Sequence, residues 1–344
     1  MRLSFSRHNF LLTLCCLSLA ACNSDEQHRR PDVSNIQVAI KIQRFDQALF
    51  SLDTSQLEAG MAQLSATYPS LLPLFAENII HDQSNPKETP LQAVRGFISA
   101  PQVRHLYDTV QQVYGDLRGL EKQLTPLFQH YRYYFPQKPM PQVAAIVSEF
   151  ATDAFTYGDS LCGIGLDMFL GEGYPGYDPE VFPAYIRRQF YPEYIPVRLA
   201  RALAQNIADA PAGNRLLDQM IHNGKILYLV DCLLPDLPDS AKMGYTRAQI
   251  EGCQANEQTL WARLLEQNLL YSTDFNKFRK LVTPSPNAPV AFSEAPGESG
   301  NWLGWQIVKA YMKRHPDTSL EQLLNFRDAQ QFLEQAKYKP KRRE

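Results

Sequence analysis

An apolar stretch of about a dozen residues, Phe10 to Ala20, follows Arg2 and Arg7 and runs into a cysteine, and it dictates where the rest of the chain can fold. A helix that crosses a bilayer needs roughly 20 apolar residues. This run is shorter, and its basic lead and small-residue end have the form of a secretory signal. It closes on Leu19-Ala20-Ala21-Cys22 and gives way at once to Asn23-Ser24-Asp25-Glu26-Gln27-His28-Arg29-Arg30, which argues against a buried core helix. A cysteine placed there resembles the bacterial lipobox, in which the sulfur is acylated and the chain is cut before it. The expectation is a signal peptide over residues 1–21, a lipid anchor on Cys22, a polar tether over 22–35 and a single domain over 36–344. Each buried methylene of an acyl chain adds about 0.8 kcal/mol to membrane residence, so more than one chain makes the anchor durable. The mature chain then reads as a body held at a membrane of the cell envelope, inner or outer, on the side away from the cytoplasm.

Charge narrows the partners. Lys and Arg number 34 against 36 Asp and Glu, and loss of Arg2 and Arg7 with the signal leaves the remainder more acidic still. No nucleic-acid partner is expected of such a body; membrane contact through the lipid and protein partners in the envelope are. The basic tail Lys337, Lys339, Lys341, Arg342 and Arg343 reads as a solvated end. Of the six cysteines, Cys15 and Cys16 leave with the signal. Cys162, Cys232 and Cys253 allow at most one disulfide, and spacing cannot choose the pair.

Periodicity gives an α+β chain, predominantly helical, with a small antiparallel sheet. Ile36, Val38, Ile40 and Ile42 alternate, and the period changes over Arg44 to Phe50. Helices are expected over 55–67, 90–99, 101–114 and 116–135, the last closed by Phe135-Pro136. Val143 to Val147, Phe155 to Ser160 and Leu161 to Leu170 supply strand-like runs. Residues 171–196 are a Gly- and Pro-rich loop carrying Tyr174, Tyr177, Tyr185, Tyr191 and Tyr194. These rings either pin the loop to the body or offer a ligand or partner surface. Further helices are expected over 197–208, 214–233, 274–282, 301–314 and 328–337. A long one runs from a Thr246 cap, with Gln249 at the capping-box position, to about Asn268.

Motifs that carry chemistry are missing. No His-Glu-x-x-His, phosphate loop or nucleophile elbow occurs, and no two of the seven histidines have metal-ligand spacing on one helix, so no catalytic residue, metal or cofactor is assigned. Asp159 and Asp167 flank the expected sheet and could act as acid and base only if the fold brought them together; turn capping and a structural hydrogen bond are their plainer roles. His222-Asn223-Gly224 interrupts an apolar helix. Trp302 and Trp305 share one helix face, either as core or as a partner hot spot, and Gly300 and Gly304 let that helix sit close to a neighbour. The candidate ligand or partner surface is therefore Asp159, Asp167, Tyr174, Tyr177, His222, Trp302 and Trp305.

A set of segments, in order, resembles the gliding-motility lipoprotein B (GldB) family of the Bacteroidota. They begin with Arg44-Phe45-Asp46, then His130-Tyr131-Arg132-Tyr133-Tyr134-Phe135-Pro136 and Tyr157-Gly158-Asp159-Ser160. Gly165-Leu166-Asp167-Met168-Phe169-Leu170-Gly171, the stretch from Met220 to Asp236 and that from Trp261 to Asp274 follow. Gly304-Trp305-Gln306-Ile307-Val308 and Ala336-Lys337-Tyr338-Lys339-Pro340 complete the set. The resemblance implies an envelope lipoprotein of the gliding machinery, in bacteria that use the type IX secretion apparatus, and supplies no catalytic residue. A fainter likeness, to helical zinc peptidases of the gluzincin kind, would set 193–208 where their metal helix stands and 217–230 where the third ligand arises. Those positions offer Arg198, Arg201 and Asn223, which implies a peptidase-like scaffold without zinc. The rival expectation is a lipid-anchored hydrolase or ligand-binding protein using the tyrosine loop with Asp159 or Asp167.

Overall fold

The computed structural model describes residues 31–81, 84–85 and 87–341; the signal segment and Cys22 lie outside the described residues. The body opens on a junction between strand and helix. Strand β1 (Ile42–Arg44) turns directly into the helix Phe45–Phe50. Arg44 fixes that turn by forking onto Asp46, Nε to Oδ1 at 2.9 Å and Nη2 to Oδ2 at 2.7 Å. Asp46 is fully buried, and a buried carboxylate persists only when paired. Ahead of it, the Gln129 amide donates to the Ile36 carbonyl and the Ile42 amide donates to Glu121.

Among helices of eight residues or more, α1 (Leu57–Thr67) is followed by α2 (Pro90–Ser99), α3 (Pro101–Val113) and α4 (Arg118–Tyr134). Thr89 caps α2 with a reciprocal Gln92 bond, and Pro90 stands at its first turn. Pro101 forbids continuation of α2 and starts α3.

Strands β2 (Gln142–Ile146), β3 (Ala154–Tyr157) and β4 (Leu161–Gly165) complete a four-stranded sheet of order β1-β2-β4-β3. The sheet is mixed, where a wholly antiparallel one was expected: β1 runs parallel to β2 and β2 parallel to β4, and only β3 is antiparallel to β4. The reason lies in burial. Four of the five residues of β2 and all of β4 are buried, and strands covered on both faces are the kind that pair in parallel. The β1–β2 ladder is closed through helices α1 to α4, as a parallel crossover requires.

The second half is helical: α5 (Ile195–Ile207), α6 (Leu216–Leu233), α7 (Arg247–Ala255), α8 (Glu257–Glu266), α9 (Phe275–Val282), α10 (Ser299–Arg314) and α11 (Ala329–Ala336). Thr246 caps α7 through Gln249 as expected. The helix does not reach Asn268 in one piece: Asn256 leaves helical backbone, φ −104° and ψ 14°, and its side chain donates to the Gly252 carbonyl at 2.9 Å beside its own amide. Helix α6 is apolar on nearly every side and sits in the centre. Its Gly224 lies against Gly304 of α10, the close approach expected of that glycine. Short helices at Leu71–Leu74, Ala184–Arg187, Asp239–Met243 and Leu320–Asn325 escaped the sequence pattern. Among the described residues no helix is long and apolar enough to cross a membrane.

Candidate functional site

The tyrosine-rich loop is pinned to the body. Tyr177 is buried; its hydroxyl donates to the Asp167 carbonyl at 2.7 Å and accepts from the Leu170 amide at 2.9 Å. Its ring meets Phe150, Tyr174, Phe182 and Phe190 edge-on. The Gly171 amide closes the loop on the Phe190 carbonyl at 2.7 Å.

Asp167 points inward. Its carboxylate accepts from the amides of Phe150, at 2.6 Å, and Ser148, at 3.2 Å. These bonds hold a turn in which Glu149 and Phe150 both adopt left-handed backbone, φ 54° and 67°. Burial pushes the Asp167 carboxyl up to about 6, against the pull of those amides. Asp159 lies at the other end of β4, paired with Lys138 at 2.7 Å and accepting from the Asn206 amide at 2.9 Å. The five residues of β4 span about 16 Å at ~3.3 Å each, so the two aspartates do not form an acid–base pair.

His222 belongs to a different place. It lines a cavity of about 30 Å³ with Asp209, Asp218, Lys225, Phe326 and Arg327. Burial, then Lys225 and Arg327, lower its pKa. Lys225 is buried, donates to the Phe326 carbonyl at 2.5 Å and stands 5.2 Å over the Phe332 ring. Trp302 and Trp305 are both buried. Lys309 stands 3.7 Å over the Trp305 ring, and the Trp305 indole nitrogen has no hydrogen-bond partner. Cys162, Cys232 and Cys253 carry no disulfide.

Arg198 and Arg201 line one cavity, and Asn223 is linked to Arg201 only through intervening side chains. Helix α5 packs against β3 and α6. From it Arg198 pairs with Asp153, which stands just ahead of β3. One turn on, Arg201 donates to the Lys242 carbonyl at 2.9 Å, and its other Nη lies 3.9 Å from Glu298. Asn223 of α6 donates to Asn301 at 2.8 Å, and Asn301 donates to Glu298 at 3.1 Å. A polar chain therefore runs Asn223–Asn301–Glu298 and reaches Arg201 through a long ion pair. Glu298 occupies it from a left-handed backbone position, φ 64°, at the cap of α10. Arg188 enters from the loop, its Nε donating to the Gly244 carbonyl at 2.9 Å. Tyr245, fully enclosed and pushed well above its ordinary pKa by burial, donates to the Gly297 carbonyl. Burial also lowers the pKa of Arg188 and Arg201.

This constellation does not fit a zinc ion. A guanidinium offers donors only and does not deprotonate in proteins, so Arg198 and Arg201 have no lone pair to give. Among the described residues no three His, Cys, Asp or Glu side chains could share a metal ion. Sequence reasoning marked Arg198, Arg201 and Asn223, met Tyr245 and Asn301 only within longer motifs and without a role, and missed Asp153, Arg188 and Glu298. No local signal singled out Glu298, which shares its Pro- and Gly-rich stretch with Glu294.

Fold and site together define a predominantly helical α+β protein in which arginines, carboxylates and amides interlock around one end of a small mixed sheet. The family model for gliding motility protein GldB matches residues 26–340. The chain belongs to that family. No curated protein and no solved structure matches it.

Proposed function

We propose that the protein is a lipid-anchored, non-catalytic component of the cell-envelope assembly that serves gliding motility or the associated type IX secretion apparatus. The observation that carries the proposal is the family match over residues 26–340, which takes in nearly the whole folded body. The Leu19-Ala20-Ala21-Cys22 segment supports the anchor. The absence of catalytic chemistry is supported by the arginines at the peptidase-like positions: Arg198 and Arg201 hold positive charge where such a site would need metal ligands or a base. The body acts by presenting surfaces to envelope proteins while its lipid keeps it at the membrane.

Mass spectrometry of the chain purified from membranes tests the anchor. The expected mature N-terminus is an acylated Cys22, and Cys22→Ser should release the protein from the membrane fraction. Affinity capture from membranes should recover envelope proteins, and purified protein should hold less than stoichiometric zinc. A mature chain that begins elsewhere would overturn the anchor. Turnover of a peptide substrate, abolished by Arg198→Ala, would overturn the non-catalytic role.

A further inference from the structure

Arg188, Arg198 and Arg201 line one cavity of about 90 Å³, together with Gln189, Tyr245, Gln249, Ser285 and Glu298. The cavity is distinct from the one beside His222, with which it shares no lining residue. Three guanidinium groups bring five N–H donors each. Their acceptors are few: Gly244 for Arg188, Asp153 for Arg198, the Lys242 carbonyl and the distant Glu298 for Arg201. Two carboxylates face three fixed positive charges, so one charge is left over, and Arg188 has no carboxylate of its own among the described residues. A half-buried cation without a counter-ion is costly. Guanidinium forks match the oxygens of a carboxylate or phosphate two at a time. The Gln249 side-chain oxygen is engaged by the Thr246 amide, which leaves its NH₂ as a further donor on the wall.

We propose that this cavity binds a single oxyanion group, a carboxylate or a phosphate, seated on the free face of the Arg188 guanidinium with Arg198 and Arg201 supplying the surrounding positive charge. Its volume sets the size of what enters: one such group, whether a small free anion or the charged end of a larger molecule. Asp153 and Glu298 hold Arg198 and Arg201 in place, and Glu298 links the cavity through Asn301 to Asn223 at the centre of the fold. The site depends on neither the lipid nor the absence of catalysis, so it goes beyond the role proposed above.

The test is thermal unfolding of the lipidated, full mature chain in detergent, with inorganic phosphate, with acetate, and with chloride at matched ionic strength. Ligand that binds only the folded state raises Tm, so phosphate or acetate should raise it by a few degrees over chloride. Arg188→Gln should abolish that rise. Gln189→Glu guards against failure of the arginine variant to fold. It places a carboxylate in the cavity, and should raise Tm in chloride while erasing the response to added anion. A rise with both anions assigns the site to carboxylates and phosphates alike; a rise with phosphate alone narrows it to phosphate. No rise over chloride in the wild-type chain, or an equal rise in the two variants, would overturn the proposal.

Discussion

Gly224 and Gly304 meet backbone to backbone where the two central helices cross. A Cβ built on Gly224 would fall 2.5 Å from the Gly304 carbonyl oxygen, and one on Gly304 would fall inside the radius of the Met220 carbonyl. Neither obstacle is a flexible side-chain tip. Gly304→Ala should therefore force α6 and α10 apart and cost ~3 kcal/mol or more, the upper range for overpacking a core. Gly252 is the control: it too is helical, but a Cβ there meets nothing within 4 Å. Gly252→Ala should stabilise by about 0.5–1 kcal/mol. Chemical denaturation of both variants checks the pair; equal and small effects would remove the claim of a close crossing.

Asp167 gives the protein a stability slope at acid pH. Its folded-state value of about 6 lies above the ordinary 3.8. The folded state therefore holds the proton more tightly than the unfolded chain between those values. The contribution of this group rises as pH falls from 6 towards 4 and is lost as pH climbs back through 6. Asp167→Asn should flatten that part of the stability–pH curve. Asp167→Ala, which leaves the amides of Ser148 and Phe150 without their acceptor, should cost about 1–3 kcal/mol. Urea titrations over pH 4–7 measure both, and an unchanged slope in Asp167→Asn would refute the assignment.

Lys225 works in the opposite direction at alkaline pH. Burial, then Arg327, lower it to about 8 from 10.5, so the unfolded chain binds the proton more tightly between those values. The cost of keeping this ammonium inside is fully present below pH 8 and is relieved as pH rises towards 10.5. Lys225→Met keeps the apolar contact with Phe326 and Phe332 and should erase the upward slope. If the slope survives, another group produces it.

How much of this could be read from the sequence depends on distance along the chain. Helices α2 and α3 were legible to the residue at their starts because Pro90 and Pro101 punctuate them, and the Thr246 cap was equally plain. Strand direction was not legible: β2 and β4 read as short apolar runs, and nothing local distinguishes a strand buried between layers from one in a hairpin. The split at Asn256 is a change of backbone angle at one residue, which helical periodicity on either side does not announce. The site was the least legible part. Arg198 and Asp153 are 45 residues apart, and Asn223 and Asn301 are 78 apart. Each is an ordinary polar residue until the fold brings its partner. Asp159 and Asp167, near each other in sequence, are instead held at opposite ends of one strand.

The entry of the chain into the body has a mechanical meaning if the proposed lipid anchor holds the protein at a membrane. Tension applied at the N-terminal end of the body passes through Ile36 to β1, an edge strand. There it meets two rivets to a single rod: Gln129 grips the Ile36 carbonyl, Glu121 grips the Ile42 amide, and both belong to α4. Arg44 and Asp46 lock the next link. Load is thus shared between a helix of 17 residues and the sheet before it can peel β1 away, so the fold is reinforced at the point where a tether would tug.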